Sequence, residues 1–349
     1  MSKLSIHIVA WNSMSGLPDL FESLFNQTFK DFSVRVVDNG SNDGVEKWLR
    51  EKYPTVMLIR NTRNLGLVAA YNQMFKFTLS KLPVDELTNH YCLLVSPDII
   101  LRPNCLEELV KAAEADLTIG SFTPKILKSF QDNQVDEVLT EQVCSDVIES
   151  TGLRSNRFRN FFERGNNELD QGQYDLAREI FGASGIFAMY RASALDSVRL
   201  KNSEYFDEAF FSGYHEVDLA WCLQGRGFEA RFVPAAVAHC ARGAYGQKKF
   251  GLFQNFLHHR QETKAGNFLI VRNRGWVLVK NMSFLDMFLA APWLVPSESL
   301  RLVYAGLFSP SRFWSFFQFL GGLPKMLKKR KEILSRRTVP RSSISRWFV

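Results

Sequence analysis

Short apolar runs alternate with amphipathic stretches over the first hundred residues of the chain. The predicted strands cover residues 4–11, 32–37, 56–60 and 91–95, and the predicted helices cover residues 18–29, 45–52 and 67–80. The strand segments are almost continuously hydrophobic, which is typical of strands buried on both faces. This alternation predicts an α/β fold, with a mostly parallel sheet flanked by helices.

Polar side chains collect where the predicted strands end. They are Asn12, Asp38, Asn39, Asn64 and Asp98, whereas the amino ends of the strands carry no such group. In open α/β sheets, ligands bind in a crevice beyond the carboxyl ends of the strands. The asymmetry therefore predicts a binding crevice at that edge.

The pattern is less regular after the first hundred residues. Residues 125–180 are polar and predict an irregular insertion. Residues 181–190 indicate a buried strand that follows small residues, and a helix over 216–224 and a strand over 228–233 come next. We place the end of the first domain at residue 244.

Residues 245–349 differ in character and predict amphipathic helices. The aromatic residues are Phe268, Trp276, Phe284, Phe288, Trp293, Tyr304, Phe308, Phe313, Trp314, Phe316, Phe317 and Phe319, interleaved with Arg272, Arg274, Lys280, Arg301 and Arg312. Aromatic faces with basic flanks are typical of helices that lie in a membrane interface. The alternative is that these aromatics pack on the first domain or form a dimer interface, so a homo-oligomer stays open.

Charge is distributed unevenly. The chain carries a net charge of +7, but residues 323–349 hold nine basic residues and one acidic residue, Glu332. This disfavours a nucleic-acid-binding body, whose charge should line a folded face. The basic run from Lys325 to Arg337 instead predicts attachment to an anionic membrane surface, with nucleic-acid binding by the tail as a minor alternative.

Three further features of the sequence indicate the cellular compartment. The uncharged stretches 287–297 and 313–324 are shorter than the roughly 20 residues of a membrane-spanning helix. The start of the chain lacks the apolar run of a signal peptide. The five cysteines form no CxxC pair, which fits a reducing compartment. We therefore expect a cytoplasmic protein, peripheral on the inner face of the cell membrane.

Five motifs carry a family resemblance, while the GxGxxG and P-loop signatures do not occur. The motifs are VVDNGSNDG (36–44), NTRNLG (61–66), LLVSPD (93–98), FGASG (181–185) and the stretch 205–239. In order and spacing they resemble glycosyltransferase family 2, and within it the bacterial rhamnosyltransferase-like subset. The resemblance covers about residues 4–240. It implies a GT-A fold, a dTDP- or UDP-sugar donor, a divalent metal (magnesium or manganese) and inversion at the anomeric carbon.

The resemblance implies donor-binding roles for the residues at the strand ends. Asp38 would bind the base of the nucleotide; the alternative is that it only builds its own turn. Asn12 and Asn39 are assigned to the same donor site. Arg63 and Asn64 would flank the nucleotide, or belong to a solvated loop. We list Arg226 separately: it would neutralise the diphosphate, and a solvated arginine is the alternative.

Asp98 occupies the family's metal-binding position, where its carboxylate would hold a cation that bridges the donor phosphates. The triplet Ser96-Pro97-Asp98 lacks one of the acidic residues of the fuller family pattern. The alternative is that Asp98 caps the following segment. His239 would add a metal contact, although a lone histidine is often structural.

The acceptor hydroxyl needs a base, and the resemblance assigns that role to Glu216. His215 would act instead of Glu216 or hold it in place, and Asp218 is assigned to the sugar pocket or to a supporting position. The alternative is an acidic cluster at the start of a helix. The small residues Gly182, Ala183, Ser184 and Gly185 would line the sugar or acceptor pocket, or else serve tight sheet packing.

These assignments predict an inverting, metal-dependent glycosyltransferase. It would move a sugar, with rhamnose from a dTDP donor as the first choice, onto a lipid-linked or polysaccharide acceptor in cell-surface glycan synthesis. The insertion at 125–180 would lie on the acceptor side. Two alternatives stay open: a non-catalytic nucleotide-sugar-binding or scaffold protein at the membrane, and a membrane- or partner-binding module built on the first domain.

Overall fold

Among the residues that the structure describes, a central ten-stranded sheet carries helices on both faces and is followed by four further helices. The computed structural model describes residues 2–131, 142–241, 264–308 and 310–348. The strands are β1 (Leu4–Ala10), β2 (Phe32–Asp38), β3 (Met57–Arg60), β4 (Tyr91–Val95), β5 (Ile99–Leu101), β6 (Ile119–Gln131), β7 (Gln142–Ser150), β8 (Leu153–Ser155), β9 (Phe161–Glu163), β10 (Glu179–Ile180), β11 (Phe187–Arg191) and β12 (Glu229–Cys240). The helices are α1 (Leu17–Phe25), α2 (Val45–Lys52), α3 (Leu67–Leu79), α4 (Cys105–Ala115), α5 (Ala192–Val198), α6 (His215–Gly225), α7 (Lys264–Asn281), α8 (Phe284–Phe308), α9 (Pro310–Ser335) and α10 (Arg341–Ser345).

The first half of the sheet has the predicted α/β architecture. Strands β3, β2, β1 and β4 lie side by side and are all parallel. All of β1 is buried, because helices cover both faces of the sheet. Ala10 pairs in register with Asp38, so β1 and β2 end at the same edge. The carboxyl ends therefore open onto one side of the molecule.

The second half of the sheet adds antiparallel strands to the parallel arrangement that the first hundred residues predict. Strand β11 is antiparallel to β4 and to β6, and β12 is parallel to β6. Phe187, the first residue of β11, pairs with Val95, the last residue of β4. β11 therefore starts at the end of the sheet where β4 ends, and the two strands run in opposite directions.

The expectation that residues 125–180 are irregular is wrong for the part that the structure describes. Strand β6 continues to residue 131, β7 pairs with it, and β8 pairs with β9. In β7, Ile148 and Ser150 are buried while Asp146 is exposed. An edge strand with a polar outer face has too few apolar positions to be recognised by alternation. The placement of this segment on the acceptor side stays a prediction.

A cluster of buried charges joins the C-terminal helices to the sheet domain. Nζ of Lys280 on α7 lies 2.9 Å from Oδ2 of Asp207 and 2.6 Å from Oδ2 of Asp218. Nζ of Lys329 on α9 lies 3.2 Å from Oε2 of Glu204 and also contacts Asp207. We call these five residues the lysine–carboxylate cluster. Burial acts to lower the pKa of Lys280, but the carboxylates of Asp218 and Asp207 outweigh it and raise that pKa.

This cluster corrects part of the tail prediction. In the run from Lys325 to Arg337, Lys329 and Arg330 are buried, and Arg330 donates to the carbonyl of Val279. These two cations are unavailable to a membrane because internal acceptors already bind them. Lys325, Lys328 and Lys331 of the same helix are exposed.

The C-terminal aromatics divide into a packed and an exposed group. Trp276 is buried and donates from Nε1 to the carbonyl of Phe319. The exposed apolar face, as we name it, comprises Phe284, Leu285, Phe288, Leu289, Trp293, Leu300, Val303, Trp314 and Phe317 on α8 and α9. The side chains of Phe268, Tyr304, Phe308, Arg312 and Phe313, and the predicted boundary at residue 244, lie outside the described part. Within the described ranges, no helix has both the length and the hydrophobicity needed to span a bilayer.

Candidate active site

A crevice lies at the carboxyl ends of β1 and β4, and it has an empty volume of about 1,210 Å³. It is lined by Asn39, Asn64, Gly185, His215 and Glu216, among others. An adjoining cavity of about 770 Å³ is lined by Asn12, Asp19 and Asp98. The two cavities share Ser13, Ser96 and Pro97, so they form one continuous opening.

Asp38 and Asn39 end β2 and anchor the loops around the crevice. Asp38 is buried; its Oδ1 accepts from the backbone N of Ser41 at 2.8 Å, and its Oδ2 lies 3.5 Å from Nε of Arg60. The turn-building alternative is therefore present in this structure, and the side chain does not line either cavity. Asn39 donates from Nδ2 to Oδ1 of Asn64 at 2.9 Å, which fastens the two strand-end loops together.

Asn12 and Arg63 sit at the outer rim. Asn12 has a φ of 49°, and its Oδ1 accepts from the backbone N of Asn42 at 3.0 Å. The side chain of Arg63 is exposed, and its backbone packs against Gly40, where a Cβ would lie 2.8 Å from the Arg63 Cα. Gly40 has a φ of 82°, so two independent constraints favour glycine there. The structure brings Asn12 to the opening and leaves Arg63 outside the cavity lining.

Asp98 is the half-buried carboxylate on the floor of the opening, and the thiol of Cys240 lies 3.7 Å from its Oδ2. His239 does not line either cavity; burial, with Arg102 next, lowers the pKa of its imidazole. Among the described residues, no group of three or more His, Cys, Asp or Glu side chains is placed to hold a metal. Magnesium nevertheless fits this chemistry, because it is held by one or two carboxylates with phosphate and water oxygens.

Glu216 stands in the first turn of α6 and faces the crevice. Tyr214, just before the helix, has a φ of 64°, which turns the chain sharply into α6. Oε2 of Glu216 lies 3.0 Å from Nδ1 of His215, and 20% of the Glu216 side chain is exposed. Burial acts to raise the pKa of Glu216, but His215 and the backbone N–H groups at the helix start outweigh it and lower that pKa. Glu216 is therefore an ionised carboxylate at neutral pH.

Two of the predicted residues on α6 point away from the crevice. Asp218 belongs to the lysine–carboxylate cluster and accepts from Nδ2 of Asn281 at 2.8 Å. Arg226 follows the last residue of α6, about 15 Å along the axis from Glu216 at 1.5 Å per residue. Its guanidinium donates to the carbonyl of Arg336. The structure brings neither Asp218 nor Arg226 into the crevice lining.

The four predicted small residues take different positions. A Cβ on Gly182 would lie 2.4 Å from the Cβ of Ala220, so this glycine serves close packing against α6. Ala183 and Ser184 are buried. Only Gly185 of the four lines the crevice, where a Cβ would lie 3.2 Å from Cγ of Glu216. Gly185 thus leaves the space beside the carboxylate open.

Sequence reasoning missed two residues at this site. Glu163, the last residue of β9, lines the crevice, and its Oε1 accepts from the hydroxyl of Ser184 at 3.1 Å. Asn273 on α7 has its Nδ2 within 3.0 Å of the carbonyls of Phe210, Ser212 and Gly213, which form the rim beside His215. Both residues come from segments whose place in space depends on long-range packing, and no local motif marks them.

Comparison with solved structures identifies the class of the fold. The structure of GalNAc-T7 with UDP, GalNAc and Mn²⁺ matches with a TM-score of 0.55 at 14% sequence identity. The match covers 79% of this chain and 47% of that chain, so this chain spans about half of that structure's length. The fold is that of the GT-A glycosyltransferases.

The family follows from the sequence. The model of glycosyl transferase family 2 matches residues 5–199, and this chain belongs to that family. It is 25% identical over 280 residues to the N-acetylglucosaminyl-diphospho-decaprenol L-rhamnosyltransferase of Mycobacterium tuberculosis, which covers 78% of this chain and 86% of the relative. An uncharacterized glycosyltransferase of Methanocaldococcus jannaschii is 32% identical over 102 residues, 28% of this chain and 32% of its own length.

Proposed function

We propose that this protein is an inverting glycosyltransferase that moves a sugar from a nucleotide-sugar donor to a lipid-diphosphate-linked acceptor. The supporting observation is the ionised carboxylate of Glu216, which faces a crevice that adjoins the cavity lined by Asp98. The mycobacterial relative is a rhamnosyltransferase by name, so dTDP-rhamnose is the first donor to test. UDP-sugars are the second choice.

Glu216 would act as the general base. It accepts the proton of the acceptor hydroxyl while that oxygen attacks the anomeric carbon from the side opposite the leaving diphosphate. His215, 3.0 Å away, keeps the carboxylate ionised and oriented. Gly185 leaves room for the attacking hydroxyl. Asn12, Asn39, Asn64 and the buried Asp38 turn would shape the donor end of the opening.

The proposed metal ligand is Asp98. Its carboxylate would hold magnesium or manganese together with the diphosphate of the donor, and the cation would supply neutralisation of the negative charge on the departing diphosphate. We leave His239 out of the proposed ligand set, because it does not line the opening.

We also propose that the protein lies on the anionic inner face of the cell membrane. The exposed apolar face on α8 and α9 would enter the lipid interface, next to the exposed cations Lys325, Lys328 and Lys331. Apolar burial and basic flanks together are what an interfacial helix requires. Such attachment would hold the crevice near an acceptor whose lipid is anchored in the same membrane.

A transfer assay tests the enzymatic proposal. Purified protein with magnesium is incubated with N-acetylglucosaminyl-diphospho-decaprenol and a panel that includes dTDP-rhamnose and UDP-sugars, and products are identified by mass spectrometry. We expect one donor to yield a product with the anomeric configuration inverted. Calorimetric binding of a donor without transfer, across the whole panel, would favour the alternative of a non-catalytic nucleotide-sugar-binding protein.

A further inference from the structure

Glu163 is a second carboxyl group in the crevice that contains Glu216. It lies at the end of β9, and both of its oxygens accept from serine hydroxyls: Oε2 from Ser150 on β7 and Oε1 from Ser184 before β11. These two bonds fix the orientation of the carboxyl group and leave acceptor capacity on each oxygen. The side chain still reaches the lining of the crevice.

Glu163 has two carboxylate neighbours, and one of them, Glu149, is itself paired with Nζ of Lys128 at 3.3 Å. The carboxylates of Glu216 on α6 and Glu149 on β7 both raise the pKa of Glu163. The basic group on α6 is His215, and it pairs with Glu216. No ion pair found among the described residues includes Glu163. Burial is the largest cause that raises its pKa, the Ser150 hydroxyl acts in the opposite direction, and the result is a pKa of about 7. The neighbouring Glu216 has a lowered pKa.

Two titratable groups in one cavity with pKa values pushed apart suit different tasks. An ionised Glu163 would repel the charge that Glu216 needs, whereas a protonated Glu163 is neutral and can donate a hydrogen bond into the crevice. A sugar offers hydroxyl groups that accept such a bond. A second carboxylate would also compete with Glu216 for the proton of the acceptor.

We propose that Glu163, in its protonated form, binds a hydroxyl group of a sugar in the crevice, and that this keeps the site at a single negative charge on the base. The inference rests on the proposed function, because it concerns the sugars of that reaction. The protonation of Glu163 and the binding of the sugar nucleotide are nevertheless measured without turnover, by infrared spectroscopy and calorimetry. The hydroxyl belongs either to the sugar of the donor or to the acceptor, and the experiment below separates the two.

The tests use the full-length chain and three variants. Glu163→Gln keeps the shape of the side chain and does not titrate; its amide nitrogen donates, so one of the two serine bonds reverses direction. Glu163→Ala removes the group, and Glu168→Gln makes the same chemical change at an exposed site between β9 and β10. Infrared difference spectra between pH 6 and pH 8.5 record the carboxyl band. We expect a protonated carboxyl that ionises near pH 7 in the parent and in Glu168→Gln, and its loss in Glu163→Gln. An unchanged band in Glu163→Gln overturns the inference whether or not the protein transfers sugar.

Binding and kinetics then locate the hydroxyl. Calorimetry compares dTDP with dTDP-rhamnose at pH 6 and pH 8.5; if the donor sugar is bound, Glu163→Ala weakens only the sugar nucleotide, by roughly tenfold. If the acceptor is bound, the acceptor KM rises roughly tenfold instead. In either case kcat/KM of the parent falls above pH about 7, and Glu163→Gln removes that fall. A variant set in which neither affinity, KM nor pH profile changes contradicts the inference. Absence of transfer by the parent counts against the proposed function, and leaves the infrared and calorimetric results to decide on Glu163.

Discussion

Helix α6 presents two acidic residues, two positions apart, to two differently built regions. Glu216 faces an open crevice and is close to a single histidine. Asp218 is buried against the C-terminal helices and bonds Lys280 and Asn281. In the crevice, the carboxylate of Glu216 remains accessible to a ligand, whereas in the lysine–carboxylate cluster each charged group is paired with one of opposite sign. Two carboxylates on one helix are therefore placed differently: Glu216 faces an open crevice, and Asp218 joins α6 to the C-terminal helices.

The largest effect is expected for the crevice side of α6. Glu216→Gln keeps the shape of the side chain but removes the base, and general-base catalysis contributes about 10²–10⁴ in rate. We expect kcat to fall by about that factor without a change in melting temperature. Glu86→Gln, at an exposed 3-10 turn, is the matched control and should keep full activity. Normal turnover by Glu216→Gln would remove the base assignment.

A substitution in the lysine–carboxylate cluster, on the other side of α6, should lower the free energy of unfolding. Lys280→Met leaves Asp207 and Asp218 buried beside one fewer cation, and breaking a buried ion pair costs about 3–5 kcal/mol. We expect urea unfolding to show a loss of that size. Lys325→Met, on the exposed part of α9, should unfold like the parent protein. Equal midpoints for the two variants would show that the cluster adds nothing to the attachment of α7.

The membrane proposal predicts that polar substitutions in the exposed apolar face weaken lipid binding. Burying a Phe side chain contributes about 1.5–3 kcal/mol, so Phe284→Ser combined with Phe288→Ser should weaken partitioning into vesicles that contain phosphatidylserine by about 10² or more. Sedimentation with vesicles measures this. Leu176→Ser replaces another exposed leucine, 95% accessible and far along the chain from α8, and should leave binding unchanged. Equal losses in both proteins would argue against a specific face.

The metal proposal gives a smaller expected effect. Asp98→Asn should raise the magnesium concentration for half-maximal rate by about tenfold, because a charged oxygen ligand becomes neutral. Asp19→Asn is the matched control, since Asp19 lines the same cavity from the first turn of α1. A larger shift from Asp19→Asn than from Asp98→Asn would reassign the ligand.

Glu163 of the crevice and Asp207 of the cluster should differ in the sign of the pH dependence that each gives to stability. The folded-state pKa of Glu163 is raised to about 7, so its contribution to stability is present at acidic pH and is lost as pH rises from about 4.3 to 7. The pKa of Asp207 is lowered, because Lys280 and Lys329 outweigh the raising effect of burial, so its contribution is present above about pH 3.9 and is lost as pH falls. Urea unfolding from pH 3 to pH 8, with Glu163→Gln and Asp207→Asn against the parent, measures both slopes. Parallel slopes in all three proteins would contradict this contrast.

The sequence predicted more of the crevice than of the packing of the C-terminal helices. The strands β1, β2 and β4 are continuous apolar runs, and the polar residues after them mark the edge where strands end, so Asn12, Asn39 and Asp98 could be expected near one opening. The family resemblance was confirmed by the match over residues 5–199, whereas its assignment of Glu216 lies beyond that match and stays a prediction.

The rest depends on contacts between distant segments. Nothing near Lys280 in the chain reveals that it pairs with residues more than sixty positions earlier, and Glu163 enters the crevice only because β9 folds over it. The direction of the strands in the second half of the sheet depends on such contacts as well. Strand direction follows from where a segment enters the sheet, and hydrophobic periodicity carries no information about direction.

Asn273 of α7 binds three carbonyls of the crevice rim, and α7 carries Lys280 as well. A shortened protein that ended before α7 would lose the amide donor of those carbonyls and the lysine that pairs with Asp218. The family-matched segment, residues 5–199, is consequently smaller than the unit that must fold together. The proposed attachment to lipid can therefore be tested separately from the shaping of the rim by substitutions on the outward side of α8, whereas a deletion that includes α7 would remove both.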